Sequence, residues 1–417
     1  MKFSLITPTH KNTPYLEELY YSILGQTYTD WEWVVWLNGD FDINKALFLS
    51  KDERIKVFLD KSNDKNVGYH KKQAFMRGTG NILVELDHDD LLLENCLEEL
   101  YKAYQDPEIG FVYSDNAKLT DNFTCYDKSY GWKFNKHKVE ILGEVKELWC
   151  PISFKPTSHS MNYIWYMPDH VRSWRKTVYH EIGGHNENYE ILDDQELMQR
   201  TYLKTKFKKI DKCLYLYRIH GKNTWLEKSK DIQKKTFELG YKNSQILAER
   251  DAELKKLLKV DLGGGINKKP GYLSIDKFDA DICCDLEKGI PLEDNSVGVI
   301  NASHIIEHLK DPIFTMKEIH RVLCHGGWAF IEVPSTDGRG AWQDPTHVSF
   351  WNENSFLYYI DKNVAKYIRN DSIRFMSYRL ETLFPNDYFR RLNIPVVKAH
   401  LIALKNDEER FPGIINI

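Results

Sequence analysis

Ile82-Leu83-Val84-Glu85-Leu86-Asp87-His88-Asp89-Asp90 decides how the first half of this chain is read. The run from Ile82 to Leu86 is short, apolar and partly β-branched, the pattern of a strand with a buried face. Side chains two apart in an extended chain point the same way, so Asp87 and Asp89 converge just past its carboxyl end. Open α/β sheets place their ligands at that edge. Two carboxylates without a basic neighbour repel each other unless a hard cation lies between them. Mg²⁺ or Mn²⁺ held there would in turn grip a diphosphate. The competing reading is a solvated acidic turn, in which Asp caps the next helix.

Working outward, strands and helices alternate. Phe3–Ile6, Trp31–Leu37 and Ile55–Leu59 read as strands, and Pro14–Leu24, Lys71–Arg77 and Leu92–Tyr104 as helices. Such alternation predicts a mostly parallel sheet covered on both faces. Tyr126 to Val178 reads as irregular and rich in Trp, His, Ser and Pro, and long irregular segments tend to be functional. Glu227 to Leu258 reads as helical. Alternation then restarts at Lys259-Val260-Asp261-Leu262, with strand character at Tyr272–Ile275, Val297–Asn301 and Trp328–Val333 and a closing pair at Phe375–Leu383 and Val396–Leu404. The expected boundaries are 1–225, a helical linker over 226–257, and 258–417.

Three more features of the first half fit a nucleotide diphosphate. Thr7, Pro8 and Thr9 put hydroxyls and a chain-turning proline at a strand's end. Asn66-Val67-Gly68 offers a glycine for close backbone approach, with Lys71 and Lys72 following. Gly183-Gly184 precedes Asp193-Asp194, a carboxylate pair opening a helix.

From Met1 to Trp225 the chain resembles the GT-A glycosyltransferases of the inverting family 2. Pro8-Thr9, Asn66-x-Gly68, Leu86-Asp87-His88-Asp89-Asp90 as the "DxD" element, Gly183-Gly184, Asp193-Asp194 at the "ED" element and Tyr217-Arg218-x-His220 carry the resemblance. It implies a metal-dependent transfer from a nucleotide-diphosphate sugar to a glycan or lipid-linked glycan. Asp87 would contact the donor, Asp89 the metal, and Asp194 would deprotonate the acceptor hydroxyl. Thr7, Pro8, Thr9, Asn38, Asn66, Gly68 and Lys72 complete the donor set. His220 is a candidate metal ligand on the diphosphate side, with a structural strand end as the alternative. Two departures are visible: Trp36-Leu37-Asn38-Gly39-Asp40 stands where members usually carry acids for the base, and the pair is Asp-Asp rather than Glu-Asp. Trp165 and Arg172, in the irregular segment, are expected on the acceptor side.

In the second half, Asp261-Leu262-Gly263-Gly264-Gly265 follows a strand, and Tyr272–Asp276 is a second strand ending in an acid. Glycines let a backbone turn tightly beside a nucleoside, and the acid can hold ribose hydroxyls, though the gap is too short for the usual intervening helix. With Asp285-Leu286, Ser303-His304-Ile305-Ile306-Glu307-His308, Gly326-Gly327 and Val333-Pro334, the run from Lys259 resembles class I S-adenosylmethionine-dependent methyltransferases. The resemblance implies that Gly263 and Gly265 face the cofactor's methionine part, Asp276 its ribose, and Asp285 and Leu286 its adenine, with Ser303 beside them. His304 and His347 are candidates for the methyl-acceptor side; a buried, hydrogen-bonded histidine is the plainer reading of either. His304-x-x-Glu307-His308 also matches an inverted zinc-protease pattern, which wants both histidines on one helical face and a third ligand that the sequence does not reveal.

Composition bounds the rest. Of 417 residues, 42% are apolar and 28% charged, ordinary for soluble globular domains, and the length suggests two or three of them. A net charge of −4 argues against nucleic acid as the main partner. No apolar run is long enough to span a bilayer, which leaves peripheral membrane contact open. Seven scattered cysteines fit a reducing cytoplasm, with Cys283-Cys284 read as strand residues. Together the two resemblances imply an α/β, two-domain transferase whose first domain transfers a sugar and whose second methylates a hydroxyl on that sugar, modifying or capping a surface polysaccharide. The alternative makes the second domain a non-catalytic binding or assembly module.

Overall fold

The computed structural model describes residues 1–417 except 40, 61, 63–65, 121–133, 142–143, 221–223, 371 and 406–417. The chain divides into two compact units. Unit 1 comprises Met1–Pro156 and Ser160–Gly240, and unit 2 comprises Thr157–His159 and Tyr241–Ile417. The helix Thr224–Lys255, whose backbone leaves helical geometry at Lys228, contributes to both.

Unit 1 is built on strands β1 (Phe3–Thr9), β2 (Trp31–Leu37), β3 (Ile55–Leu59), β4 (Ile82–Glu85), β5 (Leu91–Leu92), β6 (Ile109–Thr120), β7 (Phe134–Ile141), β8 (Glu144–Pro151), β9 (Arg172–Arg175) and β10 (Lys206–Ile219). Eight form one mixed sheet in the order β3-β2-β1-β4-β9-β6-β10-β5, and β7 with β8 forms a separate hairpin. β9 runs against β4 and β6, and β5 against β10, while the other sheet pairings are parallel. The carboxyl ends of β1, β4, β6 and β10 therefore share one edge. Strands buried on both faces read as near-continuous apolar runs, and Trp31–Leu37 is buried throughout. The helix Pro14–Leu24 starts where Thr13 caps Tyr15 N and Pro14 pre-sets the first turn.

The segment expected to be irregular from Tyr126 carries the β7–β8 hairpin, the helix Ser158–Tyr163 and the antiparallel strand β9, while 152–157 and 164–171 are irregular as expected. Its start, Tyr126, lies outside the described residues. Each of these strands contains charged or polar residues, so the apolar period that marks a strand is weak there.

Unit 2 carries β11 (Leu258–Leu262), β12 (Leu273–Asp276), β13 (Ile282–Cys283), β14 (Val297–Ser303), β15 (Leu323–Pro334), β16 (Phe375–Leu383) and β17 (Val396–Ala403). Their order is β13-β12-β11-β14-β15-β17-β16, parallel except for β17, which runs against both neighbours. The expected closing pair is thus a true antiparallel ladder. Only a 3₁₀ turn, Gly265–Asn267, follows the glycine triplet, as the short gap to Asp276 predicts.

Candidate functional site

In unit 1, β4 ends at Glu85, whose register partners are Ile6 of β1 and Arg172 of β9. Beyond β4, Asp90 is buried and accepts hydrogen bonds from Tyr215 Oη and Arg218 N, both at 2.8 Å. Arg218 Nε also donates to the Asp89 carbonyl at 2.9 Å. These bonds tie the Asp87–Asp90 loop to the end of β10 and set His220 Nε2 2.9 Å from Asp89 Oδ2. Asp90, fourth in the motif, is therefore the anchor, and Asp89 is the carboxylate it presents.

Behind this loop lies a buried charge cluster. Lys71 Nζ sits 2.7 Å from Glu85 Oε1, 2.7 Å from Asp194 Oδ1 and 3.2 Å from Asp193 Oδ2. Arg172 Nη1 reaches Asp194 Oδ2 at 2.6 Å and Glu85 Oε2 at 3.4 Å, while its other nitrogens bind the Pro168 and Tyr166 carbonyls. Both oxygens of Asp194 are thus held by cations. Burial opposes its charge, but Lys71 and Arg172 outweigh burial and keep Asp194 well below the usual carboxylate range. Burial likewise works against the Lys71 ammonium, and Asp193, Asp194 and Glu85 hold it well above the ordinary lysine value. Burial pushes Asp87 and Asp193 up to about 7, against the pull of Lys71. Asp194 remains the most open of the cluster, its side chain 22% exposed against 2% for Glu85 and 1% for Arg172.

Other expected residues fall elsewhere. Thr7 is turned into the core, where its hydroxyl accepts from Trp33 Nε1 at 2.9 Å. Thr9 is buried and donates to the Lys11 carbonyl, and its own carbonyl accepts from Asn38 N. Pro8 and Asn38 are half-buried at the ends of β1 and β2, and Asp40 lies outside the described residues. At Gly68 a Cβ would meet the Asn186 carbonyl oxygen at 2.1 Å, so close packing on the 186–189 loop demands the glycine. Asn66 precedes that helix without capping it through its side chain. Lys72 faces Glu187 at 3.6 Å, and its neighbour Lys71 enters the cluster instead. Arg172, expected on the acceptor side, is buried within the sheet and braces Asp194. Trp165 is half-buried, edge-on to Tyr166.

Sequence reasoning gave no role to Lys71, Glu85 or Arg172 in this cluster. A signal existed. Lys71 falls on the buried stripe Gly68-Lys71-Ala74-Phe75, and Glu85 closes a fully buried strand, so each requires an opposite charge.

In unit 2, Gly263 has φ +75°, and a Cβ there would strike Ile305 at 2.6 Å, which packs the turn after β11 against the segment after β14. Gly265 has φ +43° and faces the Asp276 carboxylate, which accepts from Lys277 N at 2.5 Å. Asp285 caps the turn at Leu286, which is buried, and Ser303 is exposed at the end of β14. These residues therefore line the carboxyl edge of β11, β12 and β14.

His304 has φ +54° and lies 3.4 Å from Glu307 and 3.5 Å from Glu332. Glu307 and Glu332 hold its imidazolium up to about 9. The zinc-protease pattern also fails on geometry. Ile306–His308 is a single 3₁₀ turn, so His304 and His308 are not stacked on one α-helical face. His347 Nδ1 contacts the Ala341 carbonyl at 3.0 Å.

Each of the two units thus carries an α/β sheet with polar residues gathered at its carboxyl edge. Residues 4–162 match the family model described as Glycosyl transferase family 2, and residues 254–331 match that described as Methyltransferase domain. The chain is 26% identical over 220 residues to glycosyltransferase GlyG of Streptococcus pneumoniae, covering 52% of this chain and 70% of that protein. It is 24% identical over 242 residues to chondroitin synthase of Pasteurella multocida, covering 56% of this chain but only 22% of that protein. The crystal structure of S. aureus TarS 1-349 aligns with a TM-score of 0.43 at 17% identity over 61% of this chain and 73% of that one. No described helix is long and apolar enough to cross a membrane.

Proposed function

We propose that unit 1 transfers a sugar, with inversion, from a nucleotide-diphosphate donor to a glycan or lipid-linked glycan hydroxyl, and that unit 2 methylates a hydroxyl with S-adenosylmethionine. The setting would be surface polysaccharide synthesis on the cytoplasmic side, with residues 1–225 and 258–417 as the two catalytic domains and 226–257 linking them. The observation that carries the reading is the pairing of Asp89 with His220 at the sheet edge, in front of the Asp194 cluster.

A carboxylate plus an imidazole suits Mn²⁺ better than Mg²⁺, which prefers all-oxygen sites. When bound, such an ion neutralises charge growing on the departing diphosphate. The chain's own residues do the rest. Asp194 takes the acceptor's proton, while Lys71 and Arg172 keep it ionised and oriented. Those cations also make it a weak base, which suffices because the proton moves only as the new C–O bond forms. In unit 2, Gly263, Gly265, Asp276, Asp285, Leu286 and Ser303 would hold the methyl donor and align it for an acceptor oxygen.

The test is a panel of sugar nucleotides screened for thermal stabilisation with and without Mn²⁺, followed by turnover of the hit. Mn²⁺-dependent stabilisation and turnover, both lost in Asp89→Ala, are expected; undiminished turnover in that variant overturns the reading of unit 1. Titration with S-adenosylmethionine tests unit 2. Binding that weakens in Asp276→Asn is expected, and absence of binding at millimolar ligand assigns unit 2 to a non-catalytic module.

A further inference from the structure

Glu307, His308 and His347 each bring one potential ligand atom within 4.8 Å of the other two. The backbone makes them meet: Val348 N and Ser349 N both donate to the Glu307 carbonyl, at 2.9 and 3.0 Å, and so hold the 344–349 segment against the turn after β14. The Glu307 side chain is 3% exposed, yet neither of its carboxylate oxygens accepts a hydrogen bond. The nearest recorded charge is His304 Nδ1 at 3.4 Å. A buried carboxylate without hydrogen bonds is costly unless something else occupies its lone pairs.

Both histidines are oriented by backbone carbonyls. His347 Nδ1 faces the Ala341 carbonyl at 3.0 Å, and His308 Nδ1 faces the Thr346 carbonyl at 3.2 Å. A carbonyl only accepts, so Nδ1 is the donor in each of these contacts, and in the neutral ring Nε2 is then the nitrogen free to ligate; the Thr346 hydroxyl also lies 3.1 Å from His308 Nδ1, and His347 Nε2 faces the Asp344 carboxylate at 3.9 Å. Metal-binding histidines are oriented this way, by a carbonyl on the nitrogen that does not ligate. The other grouping of this kind among the described residues, Glu85, His185 and Asp194, differs: Lys71 and Arg172 already neutralise its carboxylates.

We propose that Glu307, His308 and His347 form a three-ligand site for a divalent first-row transition ion on the carboxyl edge of unit 2. Two imidazoles and one carboxylate favour such ions over Mg²⁺ or Ca²⁺. Three protein ligands leave a position open for an oxygen ligand, as in metal sites that act on substrates. The stacked and exposed pair Trp342 and Phe350, their centroids 4.5 Å apart on the flanking segments, offers a sugar face a platform there. That the open position receives an acceptor hydroxyl rests on the methyltransferase reading; ion binding itself does not.

The experiment uses the full chain carrying Asp89→Ala, to remove the candidate ligand in unit 1, and titrates it with Co²⁺ by calorimetry and visible absorption. Saturable binding of one ion with d–d bands is expected, weakened about tenfold or more by His347→Gln and by Glu307→Gln. Circular dichroism and metal-free melting check each variant's fold. If Glu307→Gln does not fold, His347→Gln, altered in a surface segment, decides alone. Unchanged Co²⁺ affinity in the folded variants, or no saturable binding, overturns the site. S-adenosylmethionine titrated without metal reads the methyltransferase assignment separately, so either can fail without the other.

Discussion

The Asp194 carboxylate and the Glu307 carboxylate both lie at the carboxyl edge of a mainly parallel sheet, and they are neutralised in opposite ways. Asp194 has a cation on each oxygen, Lys71 at 2.7 Å and Arg172 at 2.6 Å. Glu307 accepts no hydrogen bond, although it is the more buried of the two. The first arrangement is complete within the protein: its charges hold one side chain still and ionised. The second is met within the chain only by the His304 imidazolium at 3.4 Å, with two oriented histidines beside it. A buried acid fully engaged by the chain is read as positioned machinery, and one left short of partners as a binding site.

The largest effect that would break this contrast comes from Asp194→Asn. As the proposed base, its loss is expected to cost about 10²–10⁴-fold in glycosyl turnover while donor binding stays within a few-fold, measured by steady-state kinetics and calorimetry. Turnover within about tenfold of the parent assigns Asp194 to structure alone. Lys71→Met addresses the other half of the contrast. It strands Glu85, Asp193 and Asp194 near Arg172 alone, and breaking a buried pair in this way costs about 3–5 kcal/mol. Chemical denaturation would show this as a shift of the unit 1 transition, with partial recovery in Lys71→Met/Glu85→Gln.

How much of this was legible in the chain divides along physical lines. Pro14–Leu24, Trp31–Leu37, Ile55–Leu59 and Phe375–Leu383 have the bounds expected of them, because capping residues and apolar runs are local signals. β9 was missed: Arg-Ser-Trp-Arg shows no period, and its place in the sheet is set by partners far along the chain, Val84 and Val112. The same holds for the sites. Asp87-His88-Asp89-Asp90 announced itself, but which acid anchors and which is presented depends on Tyr215 and Arg218, more than 100 residues away. His347 was set apart as an acceptor-side residue, while its approach to Glu307 and His308 depends on backbone bonds that no spacing predicts.

Gly263→Ala sharpens the comparison from the side of unit 2. The backbone there is left-handed, which costs an L-residue about 1–2 kcal/mol, and the new Cβ presses on Ile305, two residues before Glu307. A lower melting temperature is expected, with weaker binding of both S-adenosylmethionine and Co²⁺. Unchanged binding of both ligands would uncouple the glycine turn from the cluster.

Glu32 supplies the smallest effect and the pH test. It is buried on β2 and, unlike Asp194, is held by hydroxyls, an amide and one half-exposed lysine: Ser4 Oγ at 2.6 Å, Thr79 Oγ1 at 2.7 Å, Thr79 N at 2.5 Å and Lys2 Nζ at 2.7 Å. Burial pushes its pKa up, and these bonds outweigh burial and pull it down to about 2. A folded-state value below the unfolded one adds stability that is present above the unfolded value, near 4.3, and is lost as pH falls toward about 2. Glu32→Gln is therefore expected to lower the stability of unit 1 by about 1–2 kcal/mol at pH 7. Its deficit against the parent should shrink as pH drops from about 4.5 to about 2. A deficit that stays constant across that window would mean the bonds matter for their shape rather than their charge. Glu32 would then stand apart from Asp194, where the charge itself is what the surrounding cations hold.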